Sequence, residues 1–236
     1  MSGQGQRFFA RSPGCLLFPG ARLKIRAALC LLILTFGCAA KRSAPQRPQT
    51  TQAQPAARSE PRFTKEVREV TSKLQIPTGR WTMIICHHSA LREGNAAIYD
   101  KQHRQRGMEN GLAYHFLIGN GVDSGDGQIE IGSRWLRQIK GGHVRSDEIN
   151  EVAIGICLVG NFETEKPTAN QVAALKELLC YLRDDVVGKN VKFTVHSKAD
   201  PGHTACPGKY FPTEEMRRLF EPASSQQPPS TRRPKH

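Results

Sequence analysis

His87-His88-Ser89-Ala90 and, more than a hundred positions later, His196-Ser197-Lys198-Ala199-Asp200-Pro201-Gly202-His203-Thr204-Ala205-Cys206-Pro207-Gly208 are the runs of this chain whose residue types could do chemistry. Two histidines and one cysteine suffice as protein ligands for a catalytic zinc ion, which keeps its fourth position open for water. The first expectation is therefore a hydrolase. Neither run compels this alone, because a single histidine is ordinary core or surface and Cys-Pro-Gly is an ordinary turn.

The elements that must position these residues follow from hydropathy. Trp81 to Cys86 is a compact apolar run with β-branched residues, which predicts a buried strand delivering His87 at its C-terminal end. Val191 to Val195 predicts a last strand that hands over His196. Between them, Val152 to Val159 is continuously apolar and predicts a central strand buried on both faces. Residues 113–118 and 128–131 predict a hairpin across the Gly/Asn/Asp-rich turn 119–127. Helices are expected over Lys65–Leu74, over Ala96–Arg106, and after the capping-box spacing Thr168 to Gln171 through Leu182. Strands interleaved with helices give an α/β domain with a mixed central sheet flanked by helices. Both opening histidines then leave strand ends, where catalytic loops gather.

The chain's net charge of +13 belongs to its ends. Residues 1–63 and 221–236 together hold thirteen Lys/Arg and two Glu of the totals of 34 and 21, so residues 64–220 carry 21 basic against 19 acidic residues. No nucleic-acid partner is expected of so balanced a domain, and the basic ends read as solvated tails. Arg22, Lys24 and Arg26 lead into the apolar stretch Ala27–Phe36, too short for a spanning helix, which reads as an export signal over residues 1–38. Thr35-Phe36-Gly37-Cys38 resembles a bacterial lipoprotein box, with Thr35 where Leu is usual, so Cys38 is the expected lipidation site and membrane anchor. An ordinary cleaved signal and an uncleaved anchor are the alternatives, and all three place the protein in the exported bacterial envelope. Residues 39–63 read as a Pro/Gln/Ala-rich tether and 221–236 as a disordered basic tail, leaving 64–220 as the domain. The core cysteines Cys86, Cys157, Cys180 and Cys206 form no disulfide framework by spacing.

His87-His88-Ser89-Ala90, Tyr114-His115-Phe116, Gly141-Gly142-His143, Ile154 to Phe162, and His196 with Cys206-Pro207-Gly208 occur in the order found in one family. Over roughly residues 80–210 the chain resembles the zinc-dependent N-acetylmuramoyl-L-alanine amidases of the type 2 class, which includes the peptidoglycan recognition proteins. The resemblance implies that fold, and Zn2+ held by His87, His196 and Cys206. Strand alternation supports His87 over His88, since neighbours on a strand face opposite ways. His88 and His103 are then expected to pack or to support the ligands. The resemblance further implies catalytic roles for Tyr114 and Thr204 as partners of the developing oxyanion. His203 is a candidate proton donor. His143 and Asn150 match positions that line the substrate groove, with a structural role as the alternative for either, and Trp135 is a candidate for stacking on sugar, with core packing as its alternative.

Two features depart from the family pattern. The interval from His196 to Cys206 matches the branch that ends in Asp and cleaves anhydromuropeptides, yet where that branch carries a strand Glu this chain has Cys157. The zinc-and-tyrosine mechanism is therefore expected: water activated at zinc attacks the lactyl carbonyl of N-acetylmuramic acid, and L-alanine leaves as the amine. Peptidoglycan or muropeptides are the expected partners, and a monomer the expected state. The rival expectation is a recognition module of the same fold that binds peptidoglycan without cutting it.

Overall fold

The computed structural model describes residues 60–222. The expected export signal, Cys38, and most of the tether and tail lie outside the described residues. Among the described residues no helix is long and apolar enough to cross a membrane.

Five strands form one mixed sheet in the order β3-β2-β4-β1-β5. They are β1 (Met83–His88), β2 (Phe116–Ile118), β3 (Ile129–Ile131), β4 (Ala153–Leu158) and β5 (Lys192–Val195). β1 lies between β4 and β5 and runs parallel to both; β2 is parallel to β4 and closes an antiparallel hairpin with β3. Every residue of β4 is buried, as its unbroken apolar run requires.

Period-two alternation sorts the sheet into two faces. Ile84 and Cys86 of β1, Phe116 and Ile118 of β2, and Ile154, Ile156 and Leu158 of β4 pack against Leu175, Leu178 and Leu179 of helix α5 (Ala169–Tyr181). Leu117 and Cys157 face the other way, onto Tyr99 of helix α2 (Ala96–Gln105). The Thr168–Gln171 capping box forms as expected, and α5 continues into a π-helical turn at Leu182–Val186. Helix α1 (Lys65–Thr71) adds Val67 to the α5 side.

Several boundaries differ from expectation. β1 runs on through both histidines, so His87 and His88 are its last two residues rather than lying beyond it. β2 begins only at Phe116, because the His115 ring takes over a ladder position, its Nδ1 accepting the Gly155 N–H at 3.0 Å. Short helices α3 (Ser133–Leu136), α4 (Asp147–Val152), α6 (His196–Ala199) and α7 (Thr213–Arg218) were not expected, and α4 takes Val152 out of the central strand. Runs of four to six residues show too little periodicity to be legible.

Trp135 is corrected from sugar stacking to core. It is 0% exposed, packs on Phe116 at 4.9 Å between ring centroids, and donates its indole N–H to Thr71 Oγ1 at 3.0 Å. A ring with no exposed face cannot stack on a ligand. Trp135→Ala is accordingly expected to lower unfolding free energy by about 3–5 kcal/mol in urea titrations. A change below about 1 kcal/mol would contradict the core assignment.

Candidate metal centre

Alternation along β1 turns His87 onto the Cys157 face and His88 onto the opposite one. His88 is absorbed by packing: its Nδ1 accepts the Phe162 N–H at 3.1 Å, and its ring lies 5.9 Å from that of Phe162. His87 is 1% exposed and its ring stands 4.6 Å from His196, 4.9 Å from His143 and 5.1 Å from Tyr114. His196 arrives from β5 as the first residue of α6. Cys206 is brought back by the following loop, its carbonyl accepting the Ser197 N–H at 2.7 Å.

The ligand atoms of His87, His196 and Cys206 all lie within 4.8 Å of one another. His87 Nδ1 is 3.8 Å from Cys206 Sγ. That is near the roughly 3.6 Å expected between N and S ligands on a tetrahedral zinc. The His88 backbone N–H donates to Cys206 Sγ at 3.3 Å, a contact that favours the thiolate. Without a metal, burial pushes the Cys206 thiol up to about 12 against that contact, so metal binding must displace its proton.

Asp200 was not foreseen as a site residue. One helical turn after His196, its Oδ2 accepts from His196 Nε2 at 3.0 Å and from the Arg145 backbone N–H at 3.0 Å. Burial opposes the charge, yet the Arg145 and His196 donors hold the carboxyl below its ordinary range. Its oxygen faces Nε2, so the proton sits there and Nδ1 is left for a metal. The i, i+4 spacing within the motif is the signal that could have found it.

Tyr114 borders His87, and burial, with the Cys157 and Cys206 thiols adding to it, keeps the phenol protonated well above its usual range. Thr204 Oγ1 accepts the Cys206 N–H at 3.1 Å, which leaves its hydroxyl hydrogen free to donate. His203 is exposed, and Arg145 donates to its Nδ1 at 2.9 Å. His103 accepts the Ala113 N–H at 3.0 Å and packs beside Tyr114, as expected. A cavity of about 460 Å³ lies elsewhere, beside Arg68, Glu177 and Tyr181, and has none of the metal-ligand residues in its lining.

The model of the N-acetylmuramoyl-L-alanine amidase family matches residues 77–209. The chain belongs to this family. Its fold is similar to that of the amidase LysC from Clostridium intestinale URNW, 31% identical over 60% of this chain and 85% of that one, with a TM-score of 0.51. It is similar to peptidoglycan-recognition protein SC2 of Drosophila melanogaster, 32% identical over 99 residues, 41% of this chain and 47% of that protein. Peptidoglycan-recognition protein LC of Drosophila melanogaster is 31% identical over 96 residues, 17% of its length. The chain thus spans less than half of these curated relatives.

Of the two roles expected for His143 and Asn150, the contacts observed are the structural ones. His143 is 6% exposed and lies beneath His87, its Nδ1 3.1 Å from His87 Nε2 and its Nε2 3.3 Å from the Ala153 carbonyl. Asn150 is 5% exposed; its Oδ1 accepts the His143 and Val144 N–H groups and its amide donates to the Val144 carbonyl. It is a clamp on the loop that carries His143, with both its side-chain oxygen and its amide nitrogen engaged by that loop's backbone.

Burial drives His87 and His115 well below the imidazole range, with the neighbouring His143 pushing both the same way, and brings His143 to about 4. The sign follows: as pH falls below about 6.5 the unfolded chain takes up protons that these folded rings refuse, so stability is full above that pH and lost beneath it. Chelator-treated protein is expected to lose stability between pH 6.5 and 4.5 with a slope exceeding one proton per molecule. Denaturant titrations across that range provide the measurement, and a flat profile would contradict the buried neutral histidines.

Proposed function

We propose that this chain is a zinc-dependent hydrolase that cuts the amide between N-acetylmuramic acid and L-alanine in peptidoglycan. The observation that carries the reading is the convergence of the His87, His196 and Cys206 ligand atoms within 4.8 Å, with the Tyr114 ring 5.1 Å from His87. The donor set, two imidazoles and one thiol, suits zinc and leaves a position open.

Bound there, zinc would polarise the amide carbonyl and lower the pKa of water towards neutrality. Tyr114, kept protonated by burial, donates its phenol hydrogen to the carbonyl oxygen as negative charge develops on it. Thr204 offers a second, uncharged donor, and its acceptance of the Cys206 N–H fixes where that hydroxyl points. Asp200 holds His196 in its ligating orientation. His203, with Nδ1 occupied by Arg145, offers its Nε2–H as a hydrogen bond to the departing amine, whose proton comes from the attacking water.

The full chain, loaded with zinc and given muropeptides, is expected to release free stem peptide detectable by mass. Chelation should abolish release and zinc restore it, and Tyr114→Phe should lower kcat about a hundredfold. Muropeptide binding without release from zinc-loaded protein would overturn the enzyme and favour a recognition module. Parental zinc binding and cleavage by Cys206→Ser would overturn the ligand assignment.

A further inference from the structure

The hydrogen-bond chain beneath the metal centre fixes where protons sit. A backbone carbonyl only accepts, so His143 Nε2, 3.3 Å from the Ala153 oxygen, must carry the hydrogen. In the neutral ring Nδ1 is then bare, and His87 Nε2, 3.1 Å away, must donate to it. His87 Nδ1 is left bare on the side of Cys206 Sγ. His196 reaches the same state through Asp200.

We propose that His143 is a positioning residue that locks His87 in the tautomer and ring orientation that ligate through Nδ1. This deepens the metal-site reading above and rests on it. The fold builds a slot for the purpose. A Cβ at either Gly155 or Gly141 would overlap the His143 ring, so both positions must be glycine for the ring to reach beneath β1. Asn150 pins the backbone on either side through the His143 and Val144 N–H groups.

The choice of an imidazole here, and a carboxylate at His196, follows burial. The His196 and Asp200 side chains are 21% and 8% exposed, and the Arg145 N–H supports the charge. His87 is 1% exposed, and the hydrogen-bond partners of the His87 and His143 rings are each other, a thiol and a backbone carbonyl, none of which would support an ionised carboxylate. A neutral ring supplies an acceptor of fixed direction without a charge.

Ring 15N NMR of the full chain, metal-free at pH 7.5, tests this directly. His87 and His143 are both expected as Nε2–H tautomers, and His87 should keep that tautomer when zinc is added, with its Nδ1 resonance moving. A metal-free His87 protonated on Nδ1 would overturn the proposal. Zinc competition against a chromophoric chelator gives the second readout. His143→Leu is expected to weaken zinc binding about 10–100-fold, and His143→Asn, whose amide oxygen can accept from His87, to recover most of the loss. Gly155→Ala, which leaves every ligand in place, should also weaken binding. Parental affinity in His143→Leu would overturn the proposal. None of these readouts needs substrate, so a chain that meets them and cleaves nothing would refute the amidase reading alone.

Discussion

The site depends on where β1 stops. Its last two residues are histidines, and the pleat sends them to opposite faces: one into the packing around Phe162, the other onto the face that carries Cys157 and Tyr114. β1 is central and flanked by parallel strands, so His87 cannot shift without disturbing the register of the sheet. His196 and Cys206 come to this fixed point, one from the end of neighbouring β5 and the other on a loop tied back by the Ser197 N–H. Rigidity of the first ligand is what lets a loop supply the last.

Electrostatics at the centre are arranged by depth. The deepest histidines, His87, His115 and His143, are kept neutral by burial, and each hydrogen-bonds to backbone or to another ring. The carboxylate that contacts His196, Asp200, sits where an Arg145 N–H can meet it. Tyr114 is held protonated and Cys206 is left as the one ligand that must give up a proton. Under the proposed function, such a set would offer zinc two neutral donors and one anionic one, leaving positive charge on the metal to polarise a carbonyl.

Much of this was legible in the sequence, and the failures share one cause. The strands that deliver His87 and His196, the capping box of α5 and the hairpin announce themselves through local periodicity and turn chemistry. Adjacent residues also reveal that His87 and His88 part company. The choice between groove and packing for Trp135, His143 and Asn150 was not legible because it depends on long-range contacts: Thr71 and Phe116 around the indole, Ala153 and Gly155 around the imidazole, and the 141–144 loop around the amide. A motif names such residues without saying on which side of the metal they stand. Asp200 was within reach, since its spacing from His196 is helical, but α6 is a single turn that no hydropathy pattern marks.

The central claim is that His87, His196 and Cys206 form one three-ligand zinc centre with an open position. X-ray absorption at the zinc edge of the full chain, loaded with one equivalent of metal, tests it most directly. Two nitrogens at about 2.0–2.1 Å, one sulfur at about 2.3 Å and one light-atom ligand from solvent are expected. A shell without sulfur, or one with two or more sulfurs, would contradict it.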